Sequence, residues 1–172
     1  MAGGRASRLF PLNRYFLKPL LPLCNRPLID YQLELMRKLK ISEVFIVSNH
    51  LIETLEKEVA LLGLNDFTIH FVEQKNPSGI AHALSFVEDF IEKPMVVFLG
   101  DIFIYAPALY KLIDMYNALK PCNLLGAKFE QDIADIRHNY NIITDGIGKV
   151  VKVVEKPGNP LTSLKGCGIY VF

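Results

Sequence analysis

Two adjacent glycines, Gly3 and Gly4, stand close ahead of Arg5, Ser7 and Arg8, and Lys18 follows ten residues later. Glycine lets a backbone turn tightly and approach a ligand without a Cβ in the way. Backbone N–H groups in such a loop, backed by arginine and lysine, suit the oxygens of a phosphate chain. The stretch is neither of the two commonest phosphate loops: it lacks the Gly-Lys-Ser/Thr ending of the one and the G-x-G-x-x-G of the other. A second set of residues offers complementary chemistry. Gln74 carries one acceptor and two donors, suited to the edge of a nucleobase. Gly79 permits a flat ring to lie on the backbone. Asp101 is a carboxylate suited to a hard divalent cation held against phosphate oxygens. Each also has a plain reading. Asn76-Pro77-Ser78-Gly79 is a good turn and cap, and a lone aspartate after a strand often caps a backbone.

These residues need elements to bring them together. Arg26 to Lys40 carries Leu28, Ile29, Leu33, Leu35, Met36 and Leu39 at helical spacing, with Pro27 suited to a first turn. Glu43 to Val47 is a β-branched run, the mark of a buried strand. Leu51 to Leu62 is helical in pattern, Phe67 to Val72 is a strand, and Ile80 to Glu92 is a helix again. Met95 to Leu99 is the most apolar strand, and Pro107 to Leu119 the next helix. This alternation predicts βαβ units and a parallel sheet covered on both faces. After Leu124 the rhythm changes. Leu124–Phe129, Tyr140–Thr144, Lys149–Val154 and Gly168–Phe172 are short strands without long helices between them, and Asp145-Gly146 signals a hairpin. The expectation is a mixed sheet with antiparallel partners in this half. Ligands of open α/β sheets bind beyond the carboxyl ends of the strands. If the strands ending near Val72 and Leu99 are neighbours, Gln74, Gly79 and Asp101 share one rim with the Gly3-Gly4 loop.

Composition narrows the class. The chain has 172 residues, 51% hydrophobic and 22% charged, which fits one compact domain and excludes a disordered chain. The formal charge of +1 gives no global field for nucleic acid or an anionic membrane. No apolar run is long enough for a membrane span, and no apolar leader opens the chain. Cys24, Cys122 and Cys167 fit no disulfide framework and are expected as small buried hydrophobes in a reducing cytoplasm. The four histidines show no metal-ligand spacing. The glycine-rich loop follows Met1 with no strand before it, and the chain stops on a strand-like run. A single core domain over 1–172, truncated at both ends, is therefore expected.

In order along the chain, these motifs resemble those of the sugar-1-phosphate nucleotidyltransferases, particularly the glucose-1-phosphate thymidylyltransferase-like branch. The resemblance rests on Ala2-Gly3-Gly4-Arg5-Ala6-Ser7-Arg8-Leu9-Phe10-Pro11, Leu17-Lys18-Pro19-Leu20-Leu21-Pro22 and Asn25-Arg26-Pro27. It continues through Gln74, Pro77-Ser78-Gly79-Ile80-Ala81-His82-Ala83, Leu99-Gly100-Asp101, Glu155-Lys156-Pro157 and Gly168-Ile169-Tyr170-Val171-Phe172. It implies the Rossmann-like, three-layer α/β/α fold of nucleotide-diphospho-sugar transferases, with a mostly parallel mixed sheet. It implies in-line attack of a sugar-1-phosphate oxygen on the α-phosphorus of a nucleoside triphosphate, with pyrophosphate released.

The same resemblance assigns residues. Arg8, Lys18 and Asp101 would be catalytic, with Asp101 binding Mg²⁺. Ala2, Gly3, Gly4, Gln74, Pro77 and Gly79 would hold the nucleotide, with dTTP or UTP favoured. Asn141, Glu155 and Lys156 would lie at the sugar phosphate. A cytoplasmic enzyme is implied, with the capacity to form homo-oligomers and no nucleic-acid or membrane partner. Three departures stand out: Ala6 replaces a family glycine, Asn141 replaces another, and the family's second metal-binding aspartate comes from a segment beyond Phe172. They keep open a different reading, a non-catalytic or regulatory relative of the kind found as a scaffold or as a translation-initiation exchange-factor subunit.

Overall fold

The computed structural model describes residues 9–48, 51–66, 68–76 and 78–172. The chain divides into two compact units, Met1–Lys111 and Leu112–Phe172. In the first, β1 (Pro22–Leu23) and β2 (Arg26–Pro27) form a small antiparallel hairpin. Its two turn residues, Cys24 and Asn25, have φ of 49° and 63°. Positive φ at both central positions matches the right-handed twist of the flanking strands, and asparagine tolerates it well. Then come α1 (Leu28–Lys38), β3 (Glu43–Ser48), α2 (Ile52–Leu61), β4 (Thr68–Glu73), α3 (Ile80–Ser85) and β5 (Val96–Phe98). β3 and β4 pair in parallel, Glu43 opposite Thr68 through Ser48 opposite Glu73.

β3 explains why this unit is layered. Its alternate side chains point to opposite faces. Val44 and Ile46 pack with Ile29 and Leu33 of α1 and with Leu55 and Val59 of α2. Phe45 and Val47 pack on the other side with Ala83 of α3 and with Val87. A strand buried on both faces has no polar alternation, which is why Glu43–Val47 reads as a continuous apolar run.

The exposed side of α1 carries a charge chain. Arg26 donates to Asp30 and Glu34 at 2.7 and 3.0 Å, and Lys38 reaches Glu34 at 2.9 Å. Arg26 also lies over the Tyr31 ring, 4.5 Å from its centroid. The Lys38 and Arg26 bonds hold the Glu34 carboxyl down from its ordinary 4.5 to about 2. A depressed carboxyl contributes stability above its unfolded value and loses it as pH falls through the folded one. Acid unfolding should therefore steepen between pH 4.5 and about 2. Glu34→Gln should flatten that window while leaving stability at pH 7 within about 1 kcal/mol, because exposed pairs contribute little. Thermal melts from pH 2 to 7 check this.

The second unit holds β6 (Leu124–Phe129), α5 (Ile133–His138), β7 (Tyr140–Thr144), β8 (Val150–Glu155) and β9 (Leu164–Val171), with α4 (Tyr110–Leu119) crossing the boundary in sequence. Among the described residues its internal strand pairings, β6 with β9, β7 with β8 and β7 with β9, are antiparallel. Asp132 caps α5 by accepting the Ala134 N–H at 2.8 Å. The β7–β8 hairpin is closed by the Asp145 side chain, which accepts from Ile147 and Lys149, and by Gly148 at φ 85°. Gly166 of β9 lies against the Tyr140 ring, where an added Cβ would stand 1.8 Å from ring carbons. That close approach requires glycine.

Mixed α/β architecture with parallel and antiparallel pairing is as expected, with instructive differences. The helix expected from Ile80 to Glu92 ends at Ser85 and gives way to a 3₁₀ turn at Glu88–Phe90. The Ser85 hydroxyl donates to the His82 carbonyl at 2.8 Å, a side-chain competitor to the helix ladder. The helix expected from Pro107 starts at Tyr110, after i→i+3 turns closed by Ala106 and Ala108. The cysteines are not buried: Cys24 and Cys122 are exposed and Cys167 is half-buried. No described helix is long and apolar enough to cross a membrane.

Candidate active site

The strongest finding is a contact between two residues 83 positions apart. Lys18 Nζ donates to Asp101 Oδ2 at 2.8 Å. Each partner arrives by its own local logic. Lys18 opens a 3₁₀ turn, Lys18–Leu20, whose Pro19 is buried and whose preceding Leu17 lies in the core at 2% exposure. The backbone is thus anchored on both sides while the lysine side chain stays one-third exposed. Asp101 follows β5 by way of Leu99 and Gly100, where the chain leaves the sheet.

The turn carrying Asp101 is held by a residue that sequence reading missed. Gln32 of α1 is 5% exposed. Its Nε2 donates to the carbonyls of Leu99 and Ile102 at 2.8 and 2.7 Å, bracketing Gly100-Asp101. A buried amide that satisfies two backbone carbonyls fixes their positions. Tyr31 beside it meets Phe103 edge to face at 5.3 Å and donates its hydroxyl to Leu23 in the hairpin. Gln32→Met keeps the volume and removes both bonds. We expect it to weaken any ligand held by Asp101 about tenfold, near the 1.4 kcal/mol of one net hydrogen bond, with α1 still folded. Calorimetry beside circular dichroism reads both.

Gln74 follows β4, and its backbone N–H donates to the Ser48 carbonyl at 2.6 Å, where β3 and β4 end together. Its side chain is buried at 3% residue exposure and its Nε2 lies 2.7 Å from His82 Nδ1. His82 of α3, which showed no metal spacing, is thus an orienting partner for Gln74, and it meets Phe86 edge to face at 5.1 Å. An amide donor requires Nδ1 to accept, which places the ring proton on Nε2. Gly79 has φ 99° and ψ 178°, a conformation essentially confined to glycine, and open space lies where a Cβ would be. A flat ligand has room to approach there.

In the second unit, Glu155 ends β8 and Lys156 follows with φ 45°, its N–H donating to Asn139 at 2.7 Å. The two side chains are exposed, 3.4 Å apart. A non-glycine residue at positive φ is uncommon. Asn141 behaves differently. It is 1% exposed, and its Nδ2 donates to the Thr162 carbonyl and hydroxyl and to the Leu164 carbonyl, all within 2.9 Å. Its Oδ1 accepts from the Leu161 and Thr162 N–H groups. Here Asn141 pins the 161–164 segment to β7. Its amide is fully engaged within the protein, with no donor left for a sugar.

Ala2, Gly3, Gly4, Arg8 and Pro77 lie outside the described residues. Among the described residues, no three His, Cys, Asp or Glu side chains converge as a ready metal cluster. Asp101 offers one partly exposed carboxylate. Mg²⁺ is commonly held by one or two carboxylates with substrate phosphates and water completing the octahedron, so this donor set fits a metal that arrives with a nucleotide.

The chain is similar over its whole length to known proteins. A low-salt glycan biosynthesis nucleotidyltransferase of Haloferax volcanii is 29% identical over 177 residues, covering 100% of this chain and 48% of its own length. A glucose-1-phosphate thymidylyltransferase of Streptomyces griseus is 27% identical over 178 residues, covering 100% and 48%. The chain thus spans about half the length of these curated relatives. The crystal structure of a UDP-glucose pyrophosphorylase complexed with UDP-glucose shares the fold, with a TM-score of 0.86 at 22% identity over 99% of this chain and 73% of that one. Residues 1–172 match the nucleotidyl transferase family, and the chain belongs to it.

Proposed function

We propose that this chain carries the core of a Mg²⁺-dependent sugar-1-phosphate nucleotidyltransferase, joining a sugar-1-phosphate to a nucleoside triphosphate with release of pyrophosphate. The observation that carries the reading is the 2.8 Å pair of Lys18 and Asp101. An ion pair with side chains 33% and 45% exposed contributes only about 0–1 kcal/mol to the fold. It is cheap to open. On ligand binding Lys18 would turn to a phosphate oxygen and Asp101 to the cation, each exchanging one charged partner for another.

In this reading Arg8 steadies the departing pyrophosphate and Lys18 the α-phosphate under attack. The bond from the sugar phosphate oxygen to phosphorus forms as the bond to pyrophosphate breaks, so no covalent enzyme intermediate is needed. A cation 4 Å from a phosphate oxygen contributes roughly 4 kcal/mol at an effective dielectric of 20. Bound Mg²⁺ would neutralise charge on the phosphates. The Gly3-Gly4 loop wraps the triphosphate, Gln74 reads the base edge under the hold of His82, and Gly79 underlies the ring. Glu155 holds sugar hydroxyls and Lys156 the sugar's phosphate, while Asn141 acts at a distance by fixing residues 161–164. One relative is named for thymidylyl transfer and the structural neighbour holds UDP-glucose. Both fit dTTP or UTP, whose base edges are alike on the side an amide reads.

A pyrophosphate-release assay across nucleotides and sugar phosphates, on this chain and on the longer polypeptide, tests the reading. Turnover with dTTP or UTP and a hexose-1-phosphate is expected. Silence in every combination, together with no triphosphate binding, would favour the non-catalytic reading.

A further inference from the structure

Gln74 and His82 form a pair whose direction carries information. The Gln74 amide belongs to a residue 3% exposed, and its Nε2 lies 2.7 Å from His82 Nδ1. A primary amide has nearly the same shape either way round but opposite chemistry on its two arms, donors on nitrogen and an acceptor on oxygen. With the nitrogen arm held by the ring, the oxygen arm is turned away from it. Reversing the amide would set Oε1 against Nδ1, acceptor against acceptor, unless the ring proton also moved to Nδ1. Amide direction and ring tautomer are therefore locked to each other.

Both partners are themselves held. The Gln74 backbone N–H donates to the Ser48 carbonyl at 2.6 Å, at the end of the β3–β4 ladder. His82 stands three residues after Gly79, the N-cap residue of α3, so the two share one helical turn. The Ala83 N–H closes that turn on the Gly79 carbonyl at 3.2 Å, and Phe86 meets the His82 ring edge to face at 5.1 Å. One turn thus carries both the glycine with open space beside it and the histidine that sets the amide.

We propose that His82 is a positioning residue that fixes which arm of the Gln74 amide meets a nucleobase, and through it selects bases with a ring N–H on the Watson–Crick edge. The inference rests on the reading of Gln74 as the residue at the base. Uracil and thymine carry N3–H on that edge and guanine N1–H, whereas cytosine N3 and adenine N1 carry a lone pair. The outward carbonyl oxygen accepts from the first class. Against the second it sets two acceptors together, and an amide held by His82 does not rotate to relieve them. Unpaired groups of this kind reject a wrong ligand more strongly than shape does. An amide free of the ring would turn over to suit either class. His82 acts only through the glutamine, without touching the base.

UTP and CTP share ribose, triphosphate and ring size and differ where the amide would meet them. Calorimetry with Mg²⁺ compares both on the 172-residue chain and on His82→Phe, which keeps an aromatic ring beside Phe86 and removes the acceptor. The parent chain should prefer UTP by roughly 10–100-fold. In His82→Phe the preference should fall below about threefold, chiefly because CTP binds more tightly, while UTP changes by less than about threefold. A ring that merely packs would weaken both nucleotides together, and an unchanged ratio overturns the proposal. Equal binding of UTP and CTP by the parent chain also overturns it and leaves the nucleotide reading standing. Binding of neither overturns that reading as well. Nitrogen NMR of the parent chain bound to UTP needs no variant. His82 should carry its proton on Nε2 with Nδ1 unprotonated, and a proton on Nδ1 would overturn the proposal whatever the variant does.

Discussion

Asp101→Asn and Lys18→Met should each lower the proposed nucleotidyl transfer about 10²–10³-fold, the loss typical when one preorganised electrostatic partner is removed from a reacting phosphate or oxyanion. Neither should move the melting temperature much, because the pair is partly exposed and such pairs contribute about 0–1 kcal/mol. The two variants separate by readout. Asp101→Asn should raise the Mg²⁺ concentration needed for half-maximal rate, since the carboxylate is the proposed anchor for the cation. Lys18→Met should lower kcat at every Mg²⁺ concentration. The double variant should lose far less than the product of the single losses, because the side chains touch and act on one ligand. Equal Mg²⁺ dependence in Asp101→Asn and the parent chain would remove the metal role.

Asn141→Leu should destabilise the protein by about 3 kcal/mol, which for a chain of this size is roughly a 10 °C fall in melting temperature. The size follows from what is orphaned. The side chain accepts two backbone N–H groups and donates to two carbonyls and the Thr162 hydroxyl, all in a site 1% exposed. Thr162 passes the bond on to the Ile142 carbonyl at 2.6 Å, so the whole 161–164 segment loosens together. Leucine has similar volume and satisfies none of these groups. A sugar-contacting asparagine would behave in the opposite way, raising KM for the sugar phosphate with little change in melting temperature. Thermal melts beside kinetics decide between them.

Much of this architecture was readable from residue order, for reasons that particular segments show. β6 and β7 fall at the expected bounds, and β3 and β4 differ by one residue at their ends. Continuous apolar runs bounded by polar residues leave little choice of boundary. β9 begins at Leu164, four residues before the expected strand, because Gly166 and Gly168 read as breaks. Gly166 is there to admit the Tyr140 ring, a partner far away in sequence. α5 escaped notice because a six-residue helix has too few turns for a periodicity, and its cap at Asp132 was the available signal.

The site divides in the same way. Lys18 and Asp101 stand in recognisable motifs, and the structure brings them together. Gln32 and His82 were illegible because each acts on a partner that no local pattern names. Gln32 sits among polar and apolar neighbours on an amphipathic helix and bonds carbonyls 67 and 70 residues away. His82 serves a glutamine on the loop before its own helix. Asn141 stands at the sugar phosphate by resemblance alone, and the bonding partners that engage its amide lie about twenty residues downstream.

The central claim is that Lys18 and Asp101 open from each other to take a metal-bound triphosphate. Amide chemical-shift mapping of the chain with dTTP, with and without Mg²⁺, tests it most directly. Shifts at residues 18–20, at Gln74 and Gly79 and at residues 99–102, larger with Mg²⁺ than without, are the predicted result. Saturable dTTP binding that leaves Lys18 and Asp101 unmoved, or that ignores Mg²⁺, would contradict it.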